Sequence, residues 1–217
     1  SRVQTRIKKM INQKSNIKFN ILKFFLGENY LFGFSLSEVE LLNRLSNRSI
    51  SLVGNARSLN EKSFGTDIDK NEIIIRLNRA PILSESSHGK KTSWIATATS
   101  LPNSLLALHN PEIILWMTPK VRKLGLNLIN FSSFYLHKKK ANEILKIKIG
   151  ARPSVGLMIF DLIQKSEASK IDIFGFDFFE SLSNSGRRTS EQVPHNFISE
   201  KDYFQAVSKT DTRIKFY

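Results

Sequence analysis

The sequence of 217 residues predicts an α/β fold, a mostly parallel sheet covered by helices on both faces. Three observations carry that prediction. From residue 49 onward, apolar runs of strand length alternate with stretches of helical periodicity. The strand-like runs are apolar at nearly every position, as expected of strands buried on both faces. Two of them end in turns that hold Asn55 and Asn78, at the carboxyl ends where open α/β sheets bind ligands.

The elements follow in order. Residues 1–26 carry Arg2, Arg6, Lys8, Lys9, Lys14, Lys18 and Lys23 before any acid appears. Val3, Ile7, Met10, Ile11, Ile17, Ile21, Leu22, Phe24 and Phe25 recur there at helical spacing, which describes one or two basic amphipathic helices. The segment has neither an apolar run of membrane-spanning length nor the pattern of a secretory signal. Packing on the domain and lying along a membrane surface are both open to it. Residues 27–37 read as a connector, and Ser37 followed by Glu40 reads as a capping box that opens a helix. Strands are expected at 50–53, 73–77, 94–98, 113–117, 171–176 and 213–216, and helices at 103–109, 138–148, 155–164 and 200–207. The division is a helical segment over 1–33 and one domain over 34–217.

Composition narrows the function. The chain has 41% hydrophobic residues, which suits one globular domain with a sizeable core. It has no cysteine, so disulfides and thiolate metal sites are excluded and a reducing compartment is permitted. The net charge of +14 calls for anionic company. No nucleic-acid recognition module and no platform of aromatics among basic residues is visible, so no nucleic-acid partner is expected. An anionic sugar nucleotide or an anionic membrane surface accounts for the charge.

Three stretches carry candidate chemistry. Residues 50–59 run from an apolar strand into Gly54-Asn55-Ala56-Arg57-Ser58, followed by Gly65, Ile68-Asp69 and Ile73-Ile74-Ile75-Arg76-Leu77-Asn78-Arg79-Ala80-Pro81. Arg152-Pro153-Ser154-Val155-Gly156 opens an apolar helix, and the next strand ends in Gly175-Phe176-Asp177. His195 and Glu200 stand five residues apart. Asn55 and Asn78 each offer a donor and an acceptor without adding charge. Ser154 supplies an N-cap hydroxyl beside exposed helix-start amides, a natural anion site. His195 bears the side chain whose ordinary pKa best suits a general base.

In order and spacing these stretches resemble the large, small and very small sialyl motifs of the sialyltransferases of glycosyltransferase family 29. The resemblance implies that 34–217 is a single catalytic, nucleotide-sugar-binding domain, Rossmann-like and of the GT-A-like kind, and that it transfers sialic acid from its cytidine monophosphate (CMP) ester. It assigns His195 as catalytic base and Asn55, Asn78, Arg152, Ser154, Gly156 and Asp177 to the donor site, with Gly54 and Glu200 in support. Arg57, Arg76 and Arg79 are second choices. Animal members join the large and small motifs by a disulfide, and the matching neighbourhoods here hold Ile50 and, within a residue or so, Ala168, which fits a bacterial cytoplasmic enzyme. Peripheral contact with the inner face of the membrane is kept open.

The chain departs from the family pattern at Val155, where Ser or Thr is usual, and at Asp177, where Gly is common. The aromatic-histidine motif before the last histidine is not visible, and Arg187 or Arg188 is a substitute for it on charge and position. Thr66-Asp67-Ile68-Asp69 precedes its strand and is not placed to hold a metal. Neither metal nor cofactor is therefore expected. The partners expected are a CMP-activated anionic sugar and a glycan or glycolipid acceptor. Two other readings stand beside this one: a transferase of 3-deoxy-manno-octulosonic acid (Kdo), and a basic nucleic-acid- or membrane-binding module without catalysis.

Overall fold

The computed structural model describes residues 2–177 and 196–217, with side chains from residue 15 onward. The strands are β1 (Ser49–Val53), β2 (Ile73–Leu77), β3 (Trp94–Thr97), β4 (Ile113–Trp116), β5 (Ser133–Leu136), β6 (Lys170–Phe174) and β7 (Ile214–Phe216). All pair in parallel in one sheet of order β5-β4-β3-β2-β1-β6-β7. The helices are α1 (Arg2–Phe32), α2 (Glu38–Asn43), α3 (Gly65–Lys70), α4 (Glu85–His88), α5 (Asn103–His109), α6 (Leu126–Phe131), α7 (Lys139–Ile149), α8 (Val155–Ile163) and α9 (Phe197–Thr210).

Each inner strand feeds two cores, as its unbroken apolar run requires. On one face Leu52, Ile75, Trp94 and Leu115 pack with Leu145 of α7, Leu157 and Phe160 of α8, and Phe204 of α9. Ile50 and Ala168 lie buried in this same cluster. On the other face Ile95, Ile114, Trp116 and Phe134 pack with Phe19 and Leu31 of α1, Leu106 of α5 and Leu128 of α6. A smaller cluster of Val53, Ile74 and Phe174 packs on Ile68 of α3.

The expected strands all form, and β5 is an addition. It follows Ser132 and begins with Ser133, so its apolar run is shorter than that of β4 beside it. Its outer edge is covered by the incoming connector: Leu36 N donates to Phe134 O at 2.7 Å and Leu136 N to Ser35 Oγ at 2.9 Å. Ser37 caps α2 by the reciprocal pair expected, with Glu40 N donating to Ser37 Oγ at 3.2 Å and Ser37 N to Glu40 Oε2 at 2.8 Å. The connector itself begins later than residue 27, because α1 continues past Gly27 after a sharp bend. Gly27 has φ 54 and ψ −135, a conformation open to glycine at little cost. The bend folds the helix back so that the Phe19 ring lies 6.0 Å from Tyr30 and 6.5 Å from Phe34.

Candidate functional site

The strand order sets the place of the site. The chain winds outward from β1 to β5 on one side, then returns to lay β6 and β7 on the other side of β1. The crevice of such a sheet opens at the carboxyl ends of the strands where winding reverses, here β1 and β6. Gly54 and Asn55 follow β1, and Gly175, Phe176 and Asp177 follow β6.

These two turns are interlocked. Gly54 N donates to Phe174 O at 2.8 Å and Ala56 N to Gly175 O at 3.2 Å. A Cβ on Gly54 would collide with the Gly175 carbonyl and with the Phe176 ring. Only glycine admits this approach, and Gly175 is itself at φ 67. The Phe176 ring also fills the space of a Cβ on Gly156, 2.7 Å from that position. One aromatic ring thus ties the end of β1, the end of β6 and the start of α8 together. The bareness of Gly156 is explained by this packing and needs no ligand. Beside it, Ser58 Oγ donates to Asp177 Oδ2 at 2.9 Å, joining the turn after β1 to the turn after β6.

Asn55 reaches across to β2, its Nδ2 donating to Leu77 O at 3.1 Å. Asn78, the next residue after β2, stands at φ 55, and Ala80 follows at φ 50. Two left-handed residues so close together make a strained turn, and its backbone is held by Asn78 N to Ala96 O at 2.8 Å and Ala80 N to Leu77 O at 2.9 Å. Both asparagines are half-buried.

The start of α8 is built by Ser154 and Glu200. Ser154 Oγ accepts from Leu157 N at 3.1 Å as an N-cap. Its own N–H and O–H both donate to Glu200, at 2.7 Å to Oε1 and 2.6 Å to Oε2. With Ser154 N committed, the first-turn amides of Val155 and Gly156 are the groups left for an anion. Glu200 is 2% exposed, and burial pushes its carboxyl up to about 7 against the pull of the Ser154 bonds. Its role is to fix the helix start. Arg152 is exposed just before this turn.

Arg76 is turned away from the crevice. It is buried, its Nη2 donating to His88 O at 2.8 Å and Lys91 O at 2.7 Å and its Nε to Thr92 Oγ1 at 3.0 Å. Asp69 grips the same loop, accepting Lys90 N at 2.8 Å and Lys91 N at 3.1 Å. Arg76 thus shapes the β2–β3 connection, while Arg57 and Arg79 are exposed. His195, Arg187 and Arg188 lie outside the described residues. Asn196 directly after them caps α9, its Oδ1 accepting Ser199 N at 3.1 Å. Among the described residues no group of three His, Cys, Asp or Glu side chains gathers as a metal site.

Sequence reasoning placed the asparagines, Ser154 and Glu200 at this site but missed Phe176 and Ser58 as its struts. The Gly-Phe pair after β6 was the available signal for Phe176. The partnership of Ser154 with Glu200 had none, since 46 residues separate them.

Residues 34–127 match the sequence profile of glycosyltransferase family 29 (sialyltransferase). The matched stretch is just under half of the chain and takes in both asparagine turns. No curated protein sequence matches the chain significantly. Among solved structures, a mammalian sialyltransferase is similar at a TM-score of 0.57 and 16% identity, over 83% of this chain and 77% of that one. A second structure of a mammalian sialyltransferase, in complex with Gal-β1-3GalNAc-ortho-nitrophenol, matches at 0.55 and 15% identity, over 83% and 78%. The sialyltransferase CstII from Campylobacter jejuni, in complex with CMP, matches at 0.53 and 16%, over 79% of each chain. The parallel sheet and flanking helices of this chain are therefore the fold of solved sialyltransferases.

Proposed function

We propose that this protein is a sialyltransferase of glycosyltransferase family 29, inverting and metal-independent, that uses CMP-sialic acid and a glycan hydroxyl. The observation that carries the reading is the joining of both main motifs at one crevice: the Phe176 ring packs on Gly54, next to Asn55, and on Gly156 in the first turn of α8, while Asn55 bonds the end of β2 just before Asn78. CMP in a complex of CstII and a glycan in a complex of the mammalian enzyme support the two substrate kinds.

In this reading the asparagines hold the nucleoside without adding charge to the pocket. The acceptor oxygen attacks the anomeric carbon as the bond from that carbon to the CMP phosphate oxygen breaks, with the electron pair leaving on CMP. Its growing negative charge meets the Val155 and Gly156 amides at the positive end of α8. The acceptor proton passes to His195, two residues before α9. A monophosphate leaving group held by amides and a helix dipole does not require a divalent cation. We place the enzyme in a bacterial cytoplasm, where a chain without cysteines loses nothing.

The test is a transfer assay with purified protein, a glycan panel, and CMP-sialic acid beside CMP-Kdo. CMP release with a sialylated product is expected, and His195→Ala should lower it by roughly 10²- to 10⁴-fold while CMP still binds. Preferential use of CMP-Kdo would replace the donor. No turnover of either sugar by protein that binds CMP would overturn the reading.

A further inference from the structure

Helix α1 has two faces with opposite fates. Phe19 and Lys23, one turn apart, are buried at 2% and 8% exposure. Lys23 Nζ donates to Leu124 O at 2.6 Å and to Arg122 O at 3.3 Å, satisfying the last carbonyls of the turn Val121–Lys123 after β4. The opposite face holds Ile17, Ile21, Phe24 and Phe25, spaced i, i+4, i+7 and i+8, and Phe24 and Phe25 are 81% and 76% exposed. Their rings stand edge to face at 5.2 Å. Lys18 is exposed beside them.

Position and charge say what this face meets. The turn after β4 lies at the carboxyl end of the sheet, and Glu28 Oε1 accepts Lys139 N at 3.2 Å where α7 starts beyond β5. Helix α1 therefore runs along the same rim as the donor crevice. In the sequence Glu28 is the first acid, preceded by seven lysines and arginines. An apolar stripe in a strongly basic segment complements an anionic lipid surface. Among the described residues no helix is long and apolar enough to cross a membrane.

We propose that the outer face of α1 docks on an anionic bilayer and holds the crevice rim against a membrane that carries the acceptor as a lipid-linked glycan. The acceptor half rests on the proposed sialyl transfer, and the docking half does not. The full chain should co-sediment with phosphatidylglycerol–phosphatidylcholine vesicles, more weakly at high salt, and poorly with phosphatidylcholine alone. The double variant Phe24→Ser/Phe25→Ser should lose about 10-fold or more of that binding yet keep its rate on a soluble acceptor. In a Phe24→Trp variant, vesicles should shift the new indole's emission to the blue against the two buried native tryptophans, Trp94 and Trp116.

Equal binding by wild type and double variant, or an unmoved emission of the new indole in Phe24→Trp, would overturn the docking. So would self-association of the wild type that the double variant loses, which gives the face to a second copy. For the acceptor, transfer to a vesicle-borne glycolipid should exceed transfer to its soluble headgroup, and the double variant should lose the excess. Equal rates on the two overturn that half. Vesicle binding by a chain with no transferase activity would leave the docking standing and remove the sialyl-transfer reading.

Discussion

Asn78 carries a polar side chain on a backbone conformation that few residues tolerate. At φ 55 an alanine there is strained, whereas glycine is not. Asn78→Ala therefore mixes two losses, of side chain and of backbone comfort, and Asn78→Gly separates them. Calorimetry should show CMP affinity reduced by a similar factor in both variants, with Asn78→Ala alone losing about 1 kcal/mol or more of stability in urea unfolding. His137 is a residue of another kind. It is buried after β5 with both ring nitrogens unpartnered, and burial, with Lys165 nearby, lowers its pKa to about 4. A base whose folded pKa is depressed loses stability as pH falls, because the unfolded chain takes the proton first. The loss should fall between pH 6.5 and about 4. His137→Leu should raise stability by about 1 kcal/mol at pH 8, and by more at pH 5.

At the scale of elements, α9 is a clamp on α8. Glu200 holds Ser154, Tyr203 Oη donates to Asp161 Oδ1 at 2.5 Å, and Phe204 stacks on Phe160 at 4.1 Å. Glu200→Ala leaves both Ser154 donors without their acceptor, and should cost about 1 to 3 kcal/mol of stability and weaken CMP binding through a loosened helix start. Glu200→Gln keeps one acceptor and should recover part of both. The pH dependence works opposite to that of His137. The carboxyl's folded pKa of about 7 lies above its ordinary 4.5, so its contribution is fully present below pH 4.5 and is lost as pH rises through 7. The stability of Glu200→Gln relative to wild type should therefore rise across that window by up to about 3 kcal/mol and level off above it. Urea unfolding at several pH values reads this directly. The spacing from His195 to Glu200 was legible in the sequence. What Glu200 does was not, because its partner lies on another helix and burial, rather than residue type, sets its titration.

At the scale of the whole molecule, strand positions and a mostly parallel sheet were legible because the inner strands are apolar at nearly every position. The strand order was not, since no local pattern records which side of β1 the chain returns to. That return creates the crevice; Gly54 and Gly175 were legible as motif residues, but their close approach to each other was not. The edge strand β5 was hidden for the opposite reason, having too little apolar surface to stand out. The basic helix α1 could be read as docked or as membrane-facing, and one of its faces is docked.

In the proposed reaction the crevice between the ends of β1 and β6 binds the cytidine monophosphate of the donor. Calorimetric titration of CMP into wild type and Asn55→Ala, with uridine and guanosine monophosphates as controls, tests it most directly. Asn55, unlike Asn78, has no positive φ, so alanine fits its backbone and the variant should fold. Selective binding of CMP by the wild type, reduced by roughly 10- to 100-fold or about 1 to 3 kcal/mol in Asn55→Ala, is the predicted result. Unchanged CMP affinity in the folded variant, or equal affinity of the wild type for all three nucleotides, would contradict it.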